Sequence, residues 1–294
     1  MKIFLSNFNG IFDELIPVIG KDLVSNWKDA DTLVLWQDVI GDLESIANEA
    51  KMMGKKVIVA EHGLLSINDY IPPLSRPLVA DKFMAWGNWT KDWLVNKAGI
   101  DPEKVVVTGT LITKKLIPRR KHEDKRVLFA PRHWSGELEE NLEVAAELRK
   151  SKFNVYSKLI DGENDPINYI NPITSDRQGL NHIETCFHAL SWADVVVGVG
   201  EGTFGALAHL MDIPYISVDN WREKELLGKT YSREEFNSQI SPACHQVPLK
   251  KLNSWIEYEM KRPTMFEIER ERFRKDCLSY PNDPIKAMLE VIYE

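Results

Sequence analysis

Residues 193–220, ADVVVGVGEGTFGALAHLMDIPYISVDN, constrain this chain more than any other stretch. Val195 to Val199 is a short, continuous apolar run rich in β-branched residues. That is the pattern of a strand buried on both faces, as in a parallel sheet. A glycine-rich turn follows, Gly200-Glu201-Gly202-Thr203. Phe204 to Met211 has helical composition, Pro214 closes the connection, and Tyr215 to Val218 reads as the next strand. Strand, glycine turn, helix and strand make one βαβ unit with a short helix. Its first turn sets backbone N–H groups, unobstructed by Cβ atoms, at a helix N-terminus, which suits a phosphate or another anion.

Gly200, Gly202 and Gly205 also spell G-x-G-x-x-G, and Asp219 closes the following strand. Those are the parts of a dinucleotide-binding fingerprint and so of an NAD-dependent oxidoreductase. Position argues against it. The fingerprint opens its domain with several strands still to come, whereas the chain after Asp219 is mostly helical in pattern and supplies none. The plain alternative is that these glycines only let the helix pack close to the sheet.

Composition is that of an ordinary globular protein, 44% hydrophobic and 28% charged over 294 residues, long enough for one large domain or two moderate ones. The net charge is −7 and no Lys/Arg-rich run occurs, so nothing advertises a nucleic-acid or anionic-membrane surface. Cys186, Cys244 and Cys277 are odd in number, far apart and without a C-x-x-C pair. They read as reduced thiols of a cytoplasmic protein, with neither a disulfide frame nor a zinc site. MKIFLSNFNG reads as a first strand and not a signal peptide, and no apolar run approaches the ~18 residues of a membrane span.

Strand and helix patterns alternate along the first half. Strands are expected at Ile3–Leu5, Thr32–Trp36, Val57–Ala60, Lys82–Trp86 and Val105–Thr108. Helices are expected at Asp13–Trp27, interrupted near Pro17 and Gly20, at Asp42–Met53 before Gly54, and from a capping Asn88 to Ala98 before Gly99. From Leu116 to Lys125 a polar stretch with Pro118 and mixed charges reads as a linker. The rhythm then restarts with strand Val127–Ala130, helix Glu137–Lys150, strand Phe153–Leu159, a polar loop and helix His182–Leu190. After Asn220 the expectation is helical throughout: Arg222–Leu227, Arg233–Asn237, Leu252–Lys261, Met265–Leu278 and Pro284–Tyr293. The fold class is therefore α/β, with an N-terminal unit over residues 1–118 and a second unit with helical tail over 119–294.

Four places carry a resemblance. Ala85-Trp86-Gly87 is followed by a helix, then Gly99-Ile100-Asp101-Pro102-Glu103-Lys104-Val105 and Val107-Thr108-Gly109. Val127 to Pro131 reads VLFAP; Trp192-Ala193-Asp194 precedes the apolar strand and glycine turn, which ends at Asp212-Ile213-Pro214; and Glu61-His62-Gly63 follows an early strand. In this order the motifs resemble GT-B-type glycosyltransferases, most closely the CDP-glycerol glycerophosphotransferase and UDP-N-acetylglucosamine 2-epimerase branches. The resemblance implies two Rossmann-like domains facing across a cleft, an acceptor-side first domain and a donor-binding second one. It also implies transfer of a sugar or related group from a nucleotide-activated donor to a glycan, lipid-linked or modified-base acceptor.

The residue types fit that chemistry. The departing diphosphate needs N–H groups, a helix N-terminus or cations. Gly200, Glu201, Gly202 and Thr203 are the donor-turn candidates; Arg132, His133 and Lys158, near strand C-termini, are the candidate phosphate contacts. His62 is the candidate base for an acceptor hydroxyl. Trp134 is a candidate acceptor contact, whereas Trp86, Trp89 and Trp93 have the spacing of a helix-face core stripe. One departure stands out. Aligning Pro214 with the family proline puts Leu207 where relatives carry an acid that holds a ribose, and the acids of the epimerase site find no counterpart. Transfer is favoured over epimerisation, with NAD chemistry and non-catalytic nucleotide or glycan binding as the other readings. GT-B chemistry often proceeds without a bound metal, so the resemblance implies no cofactor and no essential metal. Activity should survive saturating chelator; loss with chelator and recovery with a divalent ion would contradict this.

Overall fold

The computed structural model describes residues 1–7, 10–39, 41–62, 70, 76–120, 122–131, 138–158, 172–173, 182–200, 202–219, 224–226, 229–231, 243–262, 267–277 and 283–294. They form two compact units, residues 1–114 with 275–294, and residues 115–274.

The first unit carries five parallel strands that lie side by side in chain order: β1 (Ile3–Leu5), β2 (Thr32–Leu35), β3 (Lys56–Ala60), β4 (Lys82–Ala85) and β5 (Val105–Val107). Val59 pairs with Leu35 on one side and Phe83 on the other. Alternation along the strands sends Leu33, Leu35, Val57, Val59 and Phe83 into one core with Ala47, Ala50 and Leu94. Val34, Ile58 and Met84 point the other way and are equally buried. A sheet covered on both faces is why these strands read as continuous apolar runs. Of the helix expected over Asp13–Trp27, only α1 (Ile16–Ile19) forms. Pro17 is tolerated in its first turn, and Gly20, at φ 54°, ends it. Next comes α2 (Gly41–Met52), closed by Gly54 at φ 72° as its sequence requires. In α3 (Asn88–Asn96), Asn88 is the first helical residue and not the cap; Gly87 holds the cap position without a side-chain bond.

The main sheet of the second unit has six strands among the described residues: β6 (Arg126–Ala130), β7 (Asn154–Lys158), β8 (Pro172–Ile173), β9 (Val195–Val199), β10 (Tyr215–Asp219) and, after a separate antiparallel pair β11 (Lys224–Leu226) and β12 (Lys229–Tyr231), β13 (Cys244–Pro248). Their order is β13-β10-β9-β6-β7-β8, all parallel. The chain thus builds outward from β6 in one direction, returns, and builds outward from β9 in the other. Helices α4 (Leu138–Leu148), α5 (His182–Ser191), α6 (Gly202–Leu210), α7 (Leu252–Lys261) and α8 (Glu267–Cys277) complete the unit, α8 running three residues past its end. Val127, Phe129, Val195, Val197, Val199, Ile216 and Val218 make its core with Val144, Leu148, Leu252 and Ile256.

Two expectations past Asn220 fail. Lys224–Leu226 is strand where a helix is expected, and β13 adds a strand where none is expected. In β13 only Val247 is buried, because an edge strand needs one apolar contact and leaves no apolar run to read. The helix expected over residues 233–237 lies outside the described residues. The expected linker is no loose tether either. Arg119 donates to the Ala193 carbonyl (3.2 Å), Arg120 N–H to the Ser191 carbonyl (2.8 Å), and the Arg120 and Arg126 guanidinium groups lie 4.3 and 4.8 Å from the Trp192 ring centroid. The tail also divides differently from the expected 119–294 unit. The last helix, α9 (Pro284–Tyr293), packs with the first unit, where Lys56 Nζ donates to the Val291 carbonyl (2.7 Å) and Tyr293 donates to Asp22 (2.9 Å).

Within the second unit α8 fastens the far end of α6. Asp212 sits at φ 57°, and its Oδ1 accepts from Arg270 Nε (2.8 Å) and Arg274 Nη1 (3.2 Å), while Arg274 also donates to the His209 carbonyl (3.1 Å). Burial pushes the Asp212 carboxyl up, but the two arginines outweigh it and hold it below its usual range. Arg270 is 2% exposed, so losing the Asp212 charge weakens the ionic hold on a buried cation. Asp212→Asn tolerates the same φ. It should cost about 2 kcal/mol in urea denaturation, below the loss for a wholly buried pair because Asp212 itself is half exposed.

Candidate functional site

In the first unit the candidate base sits two residues past β3. His62 Nδ1 donates to the Trp36 carbonyl at the end of β2 (3.0 Å), and the two rings meet edge to face at 4.8 Å. A protonated Nδ1 puts the imidazole lone pair on Nε2, the tautomer a base needs. Burial pulls the His62 pKa down to about 4, against a smaller upward pull from the Trp36 carbonyl. The ring is therefore neutral near pH 7.

Its neighbour Glu61 is a site residue that the sequence reading missed. Glu61 is 3% exposed. Its Oε2 accepts from Trp86 N–H (2.6 Å) and its Oε1 from the Thr90 hydroxyl (3.0 Å). Its own carbonyl accepts from the Trp86 indole (2.7 Å), and its N–H donates to the Met84 carbonyl (3.0 Å). The carboxyl thus ties the end of β3 to the residue before the α3 cap and to the Thr90 side chain, without capping the helix. Burial drives its pKa up to about 8, the bonds from Trp86 and Thr90 opposing. The signal was legible: an acid that ends the wholly apolar run Val57 to Ala60 has no solvent to face. Trp86 is buried and Trp89 and Trp93 pack against the core with ring centroids 5.4 Å apart, as the spacing predicts.

In the second unit the glycine turn leaves the C-terminal end of β9, with every residue of that strand buried. Gly200 takes φ 71°, a conformation that strains any residue with a Cβ. Gly198 is fixed for another reason: a Cβ there would lie 2.0 Å from the Tyr215 hydroxyl oxygen. That hydroxyl donates to the Gly200 carbonyl (2.7 Å) and ties the turn to β10. Tyr215 was read only as a strand residue. Gly202 and Thr203 open α6, a helix of nine residues.

Lys158 ends β7 and is 6% exposed. Its ammonium lies 5.2 Å from the ring centroid of Phe204, in the first turn of α6. Among the described residues no carboxylate pairs with it. A buried cation thus stands at the helix end whose N–H groups face the turn. Leu207 is 2% exposed and serves the core, so no acid occupies that position. His209, also fully buried, packs between Tyr215 and Phe273 as expected of a packing residue. Arg132, His133, Trp134 and Glu201 lie outside the described residues. Among the described residues no group of three His, Cys, Asp or Glu side chains is placed to hold a metal ion, and no helix is long and apolar enough to cross a membrane.

No protein-family model matches the chain, and no curated protein matches it. Solved structures do. The wall teichoic acid polymerase TagF superposes with a TM-score of 0.60 at 11% identity, over 99% of this chain and 88% of that one. The chain has a GT-B-type glycosyltransferase fold. Two further GT-B-fold matches are UDP-GlcNAc 2-epimerase from Neisseria meningitidis bound to UDP-GlcNAc and Anabaena HepE in complex with UDP and glucose. The first has a TM-score of 0.54 and 13% identity over 97% of this chain and 80% of that one. The second has 0.51 and 12% over 97% and 82%.

The pKa of Glu61 sets a pH dependence. A carboxyl whose folded pKa lies above its ordinary 4.5 contributes stability that is complete below pH 4.5 and lost as the pH rises toward 8. Thermal denaturation between pH 5 and 8 should therefore show a smaller loss of Tm for Glu61→Gln than for the natural protein. Parallel curves would mean that Glu61 is already ionised in the folded state.

Proposed function

We infer that this protein is a transferase that moves a sugar or related group from a nucleotide-activated donor to an acceptor hydroxyl. The observation that carries this reading is the strand reversal between β6 and β9. In open α/β sheets ligands settle beyond the strand C-termini at such a reversal. There the Gly200 turn, the N-terminus of α6 and Lys158 come together, all of them suited to a diphosphate. The first unit, with strands in simple chain order, has no reversal. The three structural relatives support the reading, since two of them hold UDP-GlcNAc or UDP and TagF is a wall teichoic acid polymerase.

On this reading the acceptor oxygen attacks the transferred group, and its proton passes to Nε2 of His62. The bond between the group and the terminal phosphate oxygen breaks, and the nucleotide leaves with one more negative charge. Lys158 and the α6 N–H groups balance that charge. The low pKa of His62 keeps it unprotonated before the step, and the Trp36 carbonyl on Nδ1–H stabilises the imidazolium that forms. Arg132, His133, Glu201 and Trp134 remain proposed contacts, the first three to the donor and Trp134 to the acceptor. We propose a cytoplasmic location and no metal requirement.

The decisive test is a thermal-shift screen with UDP, CDP, GDP and ADP, their sugar conjugates, CDP-glycerol and NAD. One nucleoside diphosphate and its conjugate should stabilise the protein, by about 2.7 kcal/mol at a concentration one hundred times Kd. Stabilisation by NAD alone would overturn the reading. Lys158→Met should weaken that donor by about 10- to 100-fold while raising the Tm of the unliganded protein, because it removes a buried cation that has no counterion among the described residues. Unchanged donor affinity would take Lys158 out of the site. His62→Ala should lower kcat by about 10²-fold or more with donor affinity retained.

A further inference from the structure

The first unit contains an arrangement that the proposed transfer does not use directly. Two adjacent residues at the end of β3 are tied to opposite neighbours in the sheet. His62 is held by β2, through the carbonyl and ring of Trp36. Glu61 is held by the β4–α3 connection, through Trp86 and Thr90. The strand order β2-β3-β4 makes these the two flanks of one strand end. A residue just past a strand has no ladder of its own to fix it, so its backbone is set by what its neighbours grip. For His62 that neighbour is Glu61, which makes four hydrogen bonds within the sheet end, two of them through its carboxyl.

We propose that Glu61 is a positioning residue for His62: its buried carboxyl, gripped by the Trp86 amide and the Thr90 hydroxyl, fixes the backbone from which the imidazole reaches the Trp36 carbonyl. This rests on His62 being the base of the transfer step, but the geometric part stands without it. Glu61 does not touch a reacting atom. Both its oxygens are turned toward the start of α3, and the side chain is almost wholly enclosed. The carboxyl acts in its protonated form, which suits its surroundings. In that form Oε2 accepts from Trp86 N–H as before, and the proton on Oε1 is donated to the Thr90 hydroxyl oxygen, the reverse of the bond an ionised carboxylate accepts there. Glutamine reproduces that pattern, with its carbonyl toward Trp86 and its amide toward Thr90. Alanine leaves a buried amide and a buried hydroxyl without a partner, and the strand end loses its grip on that flank.

The test compares the natural protein with Glu61→Gln and Glu61→Ala, reading the ¹⁵N shifts of the His62 ring and, with the donor found by the screen above, kcat and KM. The natural protein should show the Nδ1-protonated tautomer. Glu61→Gln should keep that tautomer and restore most of what alanine loses. Glu61→Ala should mix the two tautomers and lower kcat by about 10²-fold with little change in KM, the loss that follows a displacement of about 1 Å in a reacting group. If Glu61→Ala folds with the His62 tautomer and kcat both unchanged, Glu61 is merely a structural residue and the proposal is wrong. Should Glu61→Ala fail to fold, Thr90→Val decides. It removes the hydroxyl that meets Oε1, at equal size, and should move the His62 signals in the same direction; unchanged signals would overturn the proposal. The ring shifts need no substrate. A protein in which Glu61 sets the His62 tautomer but no donor turns over would retain the positioning role and lose the transferase reading.

Discussion

The second unit depends on β9 being buried from end to end. A strand whose five residues all lie in the core cannot turn back along its own sheet, and the chain must leave past its C-terminal end. Two features of the exit follow. The turn needs a left-handed residue, and Gly200 supplies it; the next strand must come close beneath it, and Gly198 makes room for the Tyr215 ring. Tyr215 then returns a hydrogen bond to the Gly200 carbonyl, so the turn is held by the strand that follows the helix as well as by the strand before it. The helix between them is short and apolar. Its far end is fastened by Asp212 to Arg270 and Arg274. An anion-binding helix end is useful only if it does not move, and here both ends of α6 are tied by named side chains.

Lys158 has its meaning within that frame. A buried ammonium with no carboxylate beside it among the described residues is a cost to the folded state. The side chain lies over Phe204 at the start of α6, and that cation–π contact lowers the cost without neutralising the charge. On the proposed reading the glycines of the G-x-G-x-x-G pattern serve a diphosphate and not a dinucleotide fingerprint. The topology separates the two readings better than the motif does, because β9 follows three strands of its unit and stands beside β6 at the reversal.

Much of the fold was legible because its strands are covered on both faces. Five-residue apolar runs such as Val195–Val199, helix stops such as Gly54 and the capped tail helix Pro284–Tyr293 each announce themselves locally. What was missed depends on partners distant in sequence. β13 is an edge strand with a single buried apolar residue, so nothing in CHQVP distinguishes it from loop until β10 is beside it. The polar stretch before β6 reads as linker because its arginines look solvated; they are held by Trp192 and by carbonyls some seventy residues on. At the candidate sites the histidine, the glycines and the burial of Glu61 at the end of an apolar run are legible, whereas the partners of Glu61 and Tyr215 are not. Both act through hydrogen bonds to backbone atoms 15 to 25 residues away, and single-residue chemistry carries no trace of such distances.

The two units meet different physical demands with the same element, the C-terminal end of a parallel strand. Strand C-termini and the helix N-termini that follow them present N–H groups, a setting that favours negative charge. In the second unit a cation, Lys158, is added to that field. In the first unit Glu61 is held by the Trp86 N–H and the Thr90 hydroxyl, and burial favours its neutral form. Beside it burial keeps the His62 imidazole neutral near pH 7 and lowers its basicity, while the Trp36 carbonyl on Nδ1–H pulls its pKa the other way. Burial of Glu61 in its neutral form and burial of His62 in its neutral form are thus two consequences of one arrangement, in which charge is excluded from the end of β3 and reserved for the end of β9.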